Sequence, residues 1–278
     1  MRFSLILATV DRVEEPRRFL ASLDSQTFRD FELIVVDQNP DDRMDAILDP
    51  YTGRFPVLHL RSEARGLSRA RNLGLKHASG DAIAFPDDDC EYPPGLLENV
   101  GRFLDENPHK DGLTGRSVDS DGNTSNSKFD AESGALNEVN VWMRAIEYAV
   151  FLRAKVMGGT WFDESLGVGA GTPWGACEGT DYLIRLLRKG ASLHYDPNLE
   201  VAHPQLPMAQ DAETARKAYA YGCGMGRVLK KSNAPLWLKA RYLARPLVAI
   251  ALYSVRLDFP ASRWYWEAFK GRLRGLIP

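Results

Sequence analysis

Asp87, Asp88 and Asp89 are three consecutive carboxylates, the densest cluster of potentially reactive side chains in the sequence. They follow the apolar run 82–85, so their charges repel one another at the end of a predicted buried strand. A Mg²⁺ or Mn²⁺ ion relieves such repulsion, because these hard cations bind one or two carboxylates together with substrate phosphate oxygens. Asp87 and Asp89 are therefore candidate metal ligands. The alternative is a solvated acidic turn, while a calcium loop fits less well, because its alternating oxygen ligands are absent.

A basic segment precedes the three aspartates in the chain. Arg65, Arg69 and Arg71 lie around the start of a helix predicted over residues 66–77. Arginines and a helix N-terminus both favour bound phosphate, through charge-assisted hydrogen bonds and free backbone N–H groups. This pattern predicts an anion site one strand away from the aspartates. A solvated basic helix face is the alternative interpretation.

Two further sites lie in the second half of the chain. Glu178 and Asp181 stand between a Gly-rich loop (167–175) and a helix predicted over 181–189. Asp181 is explained as a first-turn acid stabilised by the helix dipole, whereas Glu178 is expected just before the helix, where this explanation does not apply. His203 ends an extended segment and precedes a proline. A lone histidine at such a position is more often structural than functional.

The predicted elements explain why these residues should meet. Continuous apolar runs predict buried strands at 3–8, 31–36, 57–60 and 82–85. Helices are predicted at 14–25 and at 66–77, the second with Ser68 as N-cap and Gly80 just beyond its end. This order favours a mostly parallel α/β sheet, in which ligands bind beyond the carboxyl ends of the strands. The polar clusters fall at those ends: Thr9 and Asp11, Asp37 and Gln38, and Asp87 to Asp89.

The remaining segments are less regular. A long mobile loop is predicted at 117–134, and two short extended pieces are predicted before His203. After residue 205 the pattern becomes helical and basic, with breaks expected at Pro235, Pro246 and Pro260.

Composition limits the classes of function. A net charge of −2 over 278 residues gives no electrostatic case for a nucleic-acid partner. Three cysteines without metal or redox spacing favour a reducing compartment. The sequence offers neither a signal peptide nor an apolar stretch long enough for a membrane span, which predicts a cytoplasmic protein.

An ordered set of motifs resembles the family 2 inverting glycosyltransferases. These motifs are SLILAT at 4–9, SQTF at 25–28, FELIVVD at 31–37, ARNLG at 70–74, GD at 80–81, FPDDD at 85–89, FDE at 162–164, EGTD at 178–181, YDP at 195–197 and HP at 203–204. Each motif is modest alone, but the full order is specific and covers about residues 1–204. The resemblance implies a GT-A fold: a mostly parallel central sheet flanked by helices, here with a C-terminal helical extension.

The resemblance also implies roles for individual residues. Members bind a nucleoside diphosphate sugar, which places Thr9, Asp11 and Asp37 near the base and ribose, and Asp88 against the sugar or ribose. Asp87 and Asp89 match the family's metal-binding D-x-D motif, and His203 matches a histidine that completes the metal site in some members. The metal would be Mn²⁺ or Mg²⁺.

The implied chemistry is a direct displacement that inverts the anomeric carbon. A carboxylate in the 178–181 motif accepts the proton of the acceptor hydroxyl, a contribution of order 10²–10⁴ in rate. Arg69 or Arg71 would stabilise the leaving diphosphate. Two departures from the family pattern matter. Gln38 stands where a second Asp is common, which leaves the nucleotide (UDP or dTDP) open, and Gly179 replaces an Asp, which leaves the base as Glu178 or Asp181.

The C-terminal segment suggests where the acceptor is. Lysines and arginines from Arg216 onward alternate with aromatic and aliphatic residues, and the only acids there are Asp258 and Glu267. Such helices, too short to span, are typical of a surface that lies on an anionic membrane. The expected acceptor is then a lipid-linked saccharide at the cytoplasmic face of the inner membrane. The alternative is that these helices pack against the catalytic domain or a second subunit.

The predicted domains are a catalytic domain at 1–204 and a helical extension at 205–278. The catalytic domain divides into a nucleotide-binding half (1–90) and an acceptor-binding half (91–204). Two other functions are alternatives to the transferase. A sugar-1-phosphate nucleotidyltransferase should carry a Gly-rich loop after the first strand, where residues 8–12 contain no glycine. A non-catalytic sugar-nucleotide-binding protein would bind nucleotide and metal without turnover.

Overall fold

The computed structural model describes residues 1–204 and 211–277. The described residues form two compact units. The first contains Met1–Arg65, Arg69–Trp161 and residues 183–204, and the second contains Gly66–Ser68, Phe162–Tyr182 and residues 211–277.

The first unit is built on a mixed sheet, in the order β3-β2-β1-β4-β7-β5-β8-β6 among the described residues. Its strands are β1 (Phe3–Thr9), β2 (Phe31–Asp37), β3 (Val57–Arg61), β4 (Ala82–Ala84), β5 (Gly112–Val118), β6 (Gly134–Ala135), β7 (Val150–Arg153) and β8 (Leu193–Ala202). The pairs β1–β2, β1–β4, β2–β3 and β5–β8 are parallel. The pairs of β7 with β4 and β5, and of β6 with β8, are antiparallel.

The four predicted strands are confirmed, and so is the parallel half of the sheet that they form. Apolar residues at consecutive positions of β1 and β2, such as Leu5, Ile6 and Leu7, are fully buried, because helices cover both faces of a parallel sheet. Strand β3 is different. The prediction that it is buried was wrong: it is the edge strand of the described sheet, and its residues are half-buried or exposed.

The residues that the structure describes form ten helices. They are α1 (Glu14–Asp24), α2 (Arg43–Leu48), α3 (Leu67–Leu75), α4 (Leu96–Glu106), α5 (Val141–Arg144), α6 (Ala154–Met157), α7 (Glu178–Arg188), α8 (Ala212–Lys231), α9 (Leu236–Val255) and α10 (Phe259–Leu276). Short 3₁₀ turns occupy Asp49–Tyr51 and Glu147–Ala149. Four of these helices were not predicted from the sequence: the short α2, α5 and α6, and the eleven-residue α4.

Three predictions about local structure were wrong. Ser68 lies inside α3 rather than at its cap, and its hydroxyl donates to the carbonyl of Leu166. Gly80 is not a helix cap; a Cβ there would lie 2.7 Å from the backbone nitrogen of Ser4, so close backbone approach requires the glycine. The two extended pieces before His203 are one strand, β8, whose pairing with β5 shifts register between Thr114 and Arg116.

The C-terminal helices follow two of the three predicted breaks. Pro235 precedes α9 and Pro260 lies in the first turn of α10. Pro246, in contrast, lies inside α9 and is buried, so the predicted break there was wrong. Proline in a helix interior removes one hydrogen bond and costs about 3 kcal/mol, which the packing of a long helix can offset.

Helices α8 and α10 meet through glycines. A Cβ on Gly226 would lie 2.2 Å from the carbonyl oxygen of Arg272, and one on Gly271 would lie 2.1 Å from that of Tyr219. The two backbones therefore pack with no room for side chains at these positions. Within the described residues, no helix has the length and apolarity needed to cross a membrane.

Candidate metal and nucleotide-sugar site

The predicted site residues of the first unit gather at the carboxyl ends of β1, β2 and β4. Thr9 and Asp37, the last residues of β1 and β2, are direct partners across the parallel pair. Asp87 follows β4 and forms a parallel bridge with Ala8. Parallel pairing thus places side chains from three distant segments at one edge of the sheet, as the sequence predicted.

Asp87 is held by a buried arginine. Nη2 of Arg71 lies 3.0 Å from Oδ1 of Asp87, and the Arg71 guanidinium lies 6.0 Å from the ring centroid of Phe85. Arg71 is almost fully buried, so this charge faces the aspartate rather than solvent. Burial raises the pKa of Asp87 in spite of the arginine.

Asp88 turns toward the first strand. Its carboxylate accepts a hydrogen bond from Oγ1 of Thr9 at 2.7 Å and another from Nη1 of Arg12 at 2.6 Å. Burial raises the pKa of Asp88 to about 6, although Arg12 and Thr9 oppose this change. The predicted nucleotide-sugar residues Thr9 and Asp88 are therefore in direct contact with each other.

Asp89 has the lowest pKa of the three aspartates. Burial alone would raise its pKa, but hydrogen bonding and charge from His203 and Arg12 lower the pKa to about 2. Nε2 of His203 lies 2.9 Å from Oδ1 of Asp89, and Nη1 of Arg12 lies 2.5 Å from Oδ2. Asp89 is therefore an anion with a cationic or hydrogen-bonding partner at each oxygen.

His203 is well oriented to act as a ligand. Nδ1 lies 3.0 Å from the carbonyl oxygen of Pro204, and the ring stacks on Tyr148 with the centroids 4.7 Å apart. An N–H···O bond from Nδ1 leaves Nε2 to face the aspartates, which is how metal-binding histidines are usually held. Burial lowers the pKa of His203, but Asp89 outweighs this and the pKa is raised.

One ligand atom each from Asp87, Asp89 and His203 lies within 4.8 Å of the others. Two carboxylate oxygens and an imidazole nitrogen at this spacing fit Mn²⁺ or Mg²⁺, with positions left over for phosphate oxygens. The chemistry of this donor set therefore agrees with the metal that the sequence predicted. The role of these three residues as ligands remains a prediction.

The predicted base and ribose residues have contacts of their own. Asp37 is fully buried; it accepts hydrogen bonds from the backbone and side-chain nitrogens of Asn39, and Nε2 of His59 lies 3.0 Å away. Asp11 is exposed, has a positive φ of 59° and forms an ion pair with Arg65 at 3.2 Å. Its backbone N–H donates to Oδ1 of Asn39 at 2.6 Å. Asn39 thereby links Asp11 to Asp37.

The two predicted phosphate-binding arginines differ in environment. Arg69 is exposed, whereas Arg71 is buried against Asp87. Both lie in α3, which begins at Leu67. Their proposed contact with a diphosphate remains a prediction.

The second unit contains both candidate bases. Glu178 was expected just before a helix, but it is the first residue of α7, so this expectation was wrong. Cys177, with a positive φ of 68°, immediately precedes α7. Glu178 is buried, and a Cβ on Gly167 would lie 3.0 Å from its carboxyl carbon. A side chain at position 167 would therefore crowd the Glu178 carboxyl group, and the φ of 98° there also favours glycine.

Asp181 is engaged by a lysine from α8. Nζ of Lys231 lies 2.8 Å from Oδ1 of Asp181 and 2.6 Å from Oδ2 of Asp163. Both Asp181 and Glu178 lie in the first turn of α7, where the helix dipole favours negative charge. The lysine gives Asp181 a structural partner.

Two residues of these clusters were missed by the sequence analysis. Arg12, three residues after β1, contacts both Asp88 and Asp89. Because Arg12 follows the end of a strand, its position could have indicated a place in the site. The sequence offers no such indication for Lys231, which meets Asp181 only through the packing of α8.

Comparison with solved structures defines the class of fold. The chain superimposes on residues 1–349 of TarS from Staphylococcus aureus with a TM-score of 0.63 and 17% identity, covering 97% of this chain and 91% of that one. It also superimposes on a mannosyltransferase from Pyrobaculum calidifontis, solved with GDP-Man and Mn²⁺, with a TM-score of 0.66, 14% identity and coverage of 99% and 87%. The fold is therefore the GT-A fold.

The sequence identifies the family. The model of glycosyl transferase family 2 matches residues 4–156, and the chain belongs to this family. An uncharacterized glycosyltransferase of Haemophilus influenzae is 34% identical over 107 residues, which are 38% of this chain and 35% of that protein. TarS, a poly(ribitol-phosphate) beta-N-acetylglucosaminyltransferase, is 31% identical over 129 residues, 42% of this chain and 22% of TarS. The chain thus matches about a third or less of the length of these relatives.

Proposed function

We propose that the protein transfers a sugar from a nucleoside diphosphate sugar to a hydroxyl of a saccharide acceptor, with inversion at the anomeric carbon. The observation that carries this proposal is the cluster of Asp87, Asp89 and His203 within 4.8 Å at the carboxyl ends of parallel strands. Family membership supports the same reaction class.

The donor is proposed to be a UDP- or dTDP-sugar. TarS has been solved with UDP and with UDP-GlcNAc, in structures that share this fold with TM-scores of 0.62 and 0.59. Those ligands belong to TarS, and they make UDP the first nucleotide to test. Thr9, Asp11, Asp37 and Asp88 would contact the base, ribose or sugar, and Arg69 and Arg71 the diphosphate.

Asp87, Asp89 and His203 would hold Mn²⁺ or Mg²⁺, which supplies Lewis-acid stabilisation of the charge on the leaving diphosphate. The Arg71 guanidinium favours the ionised form of Asp87, against the effect of burial on its pKa, and the Pro204 carbonyl orients His203. These contacts prepare the three ligand atoms before any donor binds.

The general base is proposed to be Glu178, with Asp181 as the second candidate. The acceptor oxygen forms a bond to the anomeric carbon while the bond from that carbon to the diphosphate oxygen breaks. The hydroxyl proton passes to the carboxylate. Glu178 is favoured because it falls at the acidic position of the family's base motif, whereas the Asp181 carboxylate binds the Lys231 ammonium.

The acceptor is proposed to be a lipid-linked saccharide in the synthesis of a cell-surface polysaccharide. The protein would then work in the cytoplasm, peripherally bound to the inner membrane through its C-terminal helices. The nucleotide would be bound by residues 1–90 and the acceptor by residues 91–204. The helical extension would comprise residues 205–278. Residues 205–210 of that extension lie outside the described residues.

The test is thermal unfolding with Mn²⁺ or Mg²⁺ against UDP, dTDP, GDP and CDP, followed by an assay of sugar release from the selected donor. A ligand at 100 times its Kd stabilises by about 2.7 kcal/mol, which raises Tm by several degrees in a chain of this size. We expect one nucleotide to stabilise only with metal. Asp87→Asn and Asp89→Asn should abolish this stabilisation, and Asp105→Asn, an exposed aspartate on α4, is the matched control.

The outcomes separate the alternatives. Metal-dependent binding with turnover supports the transferase. Binding without turnover of any sugar nucleotide, in the presence of membranes and saccharide acceptors, indicates a sugar-nucleotide-binding protein. Release of pyrophosphate from a nucleoside triphosphate and a sugar 1-phosphate indicates a nucleotidyltransferase. No stabilisation by any nucleotide with either metal rejects the proposed donor site.

A further inference from the structure

Helix α9 has an apolar face that the described residues leave uncovered. Its inward side buries Leu238, Tyr242 and Pro246. Its outward side carries large apolar residues that are exposed: Leu236, Trp237, Leu247, Val248, Leu252 and Val255. A surface helix normally places polar residues on its solvent side. Apart from its cations, the solvent side of α9 departs from this pattern, which favours a further apolar surface against it.

The exposed residues of α9 form a stripe rather than a scatter. Trp237, Val248 and Val255 are separated by 11 and 7 residues, spacings that bring side chains back to one side of an α-helix. Ala244 and Ala251 are also exposed on this side. The stripe runs the length of the helix, about 30 Å at 1.5 Å per residue.

Helix α10 carries a second stripe, of mixed character. Phe259, Trp266 and Leu273 are exposed at spacings of 7 residues, and Ile277, which directly follows α10, is exposed four residues further on. Arg263 and Lys270 fall between them on the same side of the helix. Aromatic and aliphatic groups interleaved with cations on one face are typical of helices that lie in the interface of a membrane.

The two stripes meet at the turn between α9 and α10. Val255 is 83% exposed, Leu257 73% and Phe259 64%. Leu257 also has a positive φ of 58°, a conformation that non-glycine residues rarely adopt. Every second residue from 255 to 259 therefore presents a large apolar side chain to the exterior.

The charge around the two stripes indicates which kind of surface covers them. Between Glu213 and Asp258 the sequence contains no acidic residue, while Lys239, Arg241 and Arg245 lie on α9. A second copy of this chain placed against α9 would bring the same positive charge to the contact. A bilayer with anionic headgroups offers both apolar depth and opposite charge.

We propose that α9 and α10 dock on an anionic lipid bilayer, with both helices in the plane of the headgroups and the Val255–Phe259 turn inserted among the acyl chains. The inference deepens the proposed function, since it assigns the membrane contact to particular residues. It predicts that α9 and α10 bind lipid whether or not a donor is present.

The first test is flotation of the full chain with vesicles of phosphatidylcholine containing phosphatidylserine or phosphatidylglycerol, against phosphatidylcholine alone. We expect binding to the anionic vesicles only. Val248→Asp with Val255→Asp should reduce binding at least tenfold, because charge is placed at the proposed depth. Val139→Asp makes the same change at an exposed valine of the first unit and should leave binding unchanged.

The charge requirement is tested separately. Arg241→Gln and Arg245→Gln should each weaken binding about fivefold at low salt, the effect expected for one cation near an anionic surface. Binding of the unaltered protein should weaken as salt is raised. Salt-independent binding, or equal binding to phosphatidylcholine alone, would overturn the charge argument.

Insertion depth is read from tryptophan fluorescence with brominated lipids. Trp237 and Trp266 are about half exposed on the two stripes, and Trp161 is similarly exposed in the first unit. We expect quenching that is lost with Trp237→Phe and Trp266→Phe and retained with Trp161→Phe. Retention of full quenching in the double variant would overturn the assigned orientation.

These results are distinguishable from failure of the proposed function. The aspartate variants of α9 should keep the stabilisation by metal and nucleotide, which reports on the first unit alone. Loss of flotation with that stabilisation intact supports the inference. If the unaltered protein binds nucleotide but never floats, the inference is overturned and the proposed donor site stands. If it instead forms a dimer that Val248→Asp dissociates, the face is an interface between copies, and the lipid proposal is again overturned.

Discussion

Nη1 of Arg12 lies 2.5 Å from Oδ2 of Asp89. The other carboxylate oxygen of Asp89 faces Nε2 of His203 at 2.9 Å. A positively charged side chain therefore contacts a residue proposed to bind a divalent cation. Arg12 holds the carboxylate in an ionised state, and it also competes for one of the oxygens that a metal would use.

We expect Arg12→Ala to tighten Mn²⁺ binding about two- to fivefold when no nucleotide is present. The Arg12 side chain is 40% exposed, so solvent screens its ion pair, and the competition amounts to only about 0.5–1 kcal/mol. Titration calorimetry or the electron paramagnetic resonance signal of free Mn²⁺ gives the Kd. Arg18→Ala is the control, because Arg18 pairs with the nearby Glu91 and is similarly exposed. Weaker Mn²⁺ binding in Arg12→Ala would contradict the competition.

Glu178→Gln should reduce kcat by a factor of 10²–10⁴, the usual contribution of a general base. The stabilisation by metal and nucleotide should remain, because Glu178 is not part of the metal cluster. Asp181→Asn should keep turnover within about tenfold of the unaltered enzyme, because its carboxylate already binds Lys231. Steady-state kinetics with the identified donor provides the measurement. The reverse ranking of the two variants would assign the base to Asp181.

Asp163 is expected to stabilise the fold in a pH-dependent way. Burial raises its pKa, but hydrogen bonds from Lys231 and Ser165 lower the pKa to about 2, below the ordinary 3.8. A lowered pKa means that the stabilisation is complete above pH 3.8 and is lost as the pH falls from there toward 2. After allowance for solvent screening, Asp163→Asn should lower the free energy of unfolding by about 1 kcal/mol at pH 7.

Urea unfolding at pH 7, 5 and 3 measures this difference, which should shrink only at the lowest pH. Asp41→Asn is the informative control. Hydrogen bonding and charge from Arg43 lower the pKa of Asp41 to about 2 as well, but the Asp41 side chain is 50% exposed, against 31% for Asp163. Equal effects of the two substitutions would show that burial of the Asp163–Lys231 pair adds nothing.

Gly226→Ala should destabilise the protein by about 1–3 kcal/mol, the usual effect of an added methyl group in a filled space. A Cβ there would lie 2.2 Å from the carbonyl oxygen of Arg272, and backbone cannot yield as a side chain can. Gly101→Ala, in the interior of α4, has its nearest contact at 3.8 Å from the Phe3 ring. That variant should instead be stabilised by about 0.5–1 kcal/mol, the difference in helix propensity. Thermal or urea unfolding of the two variants measures both changes in stability. Destabilisation of both variants to the same extent would refute the close packing of α8 and α10.

The sequence by itself determined the parallel half of the sheet and the position of the acidic cluster. Apolar runs such as 3–8 and 31–36 can be buried on both faces only in a covered parallel sheet. Polar residues that follow those runs must then collect at one edge, which is why Asp37 and Asp87 could be placed before any coordinates. Motif order identified the family for the same reason, since each motif stands at a fixed point of this fold.

Only the tertiary structure decided which charged groups meet. His203, just after β8, reaches Asp89 across more than a hundred residues, a meeting that the sequence indicated only through the family resemblance, and Lys231 reaches Asp181 from α8. Pairings of this kind depend on how helices and strands pack, and no local periodicity encodes them. The same packing keeps Pro246 inside α9, where local propensity favours a break. Local chemistry thus fixed the elements and their polar ends, and long-range packing fixed the partners of each charge.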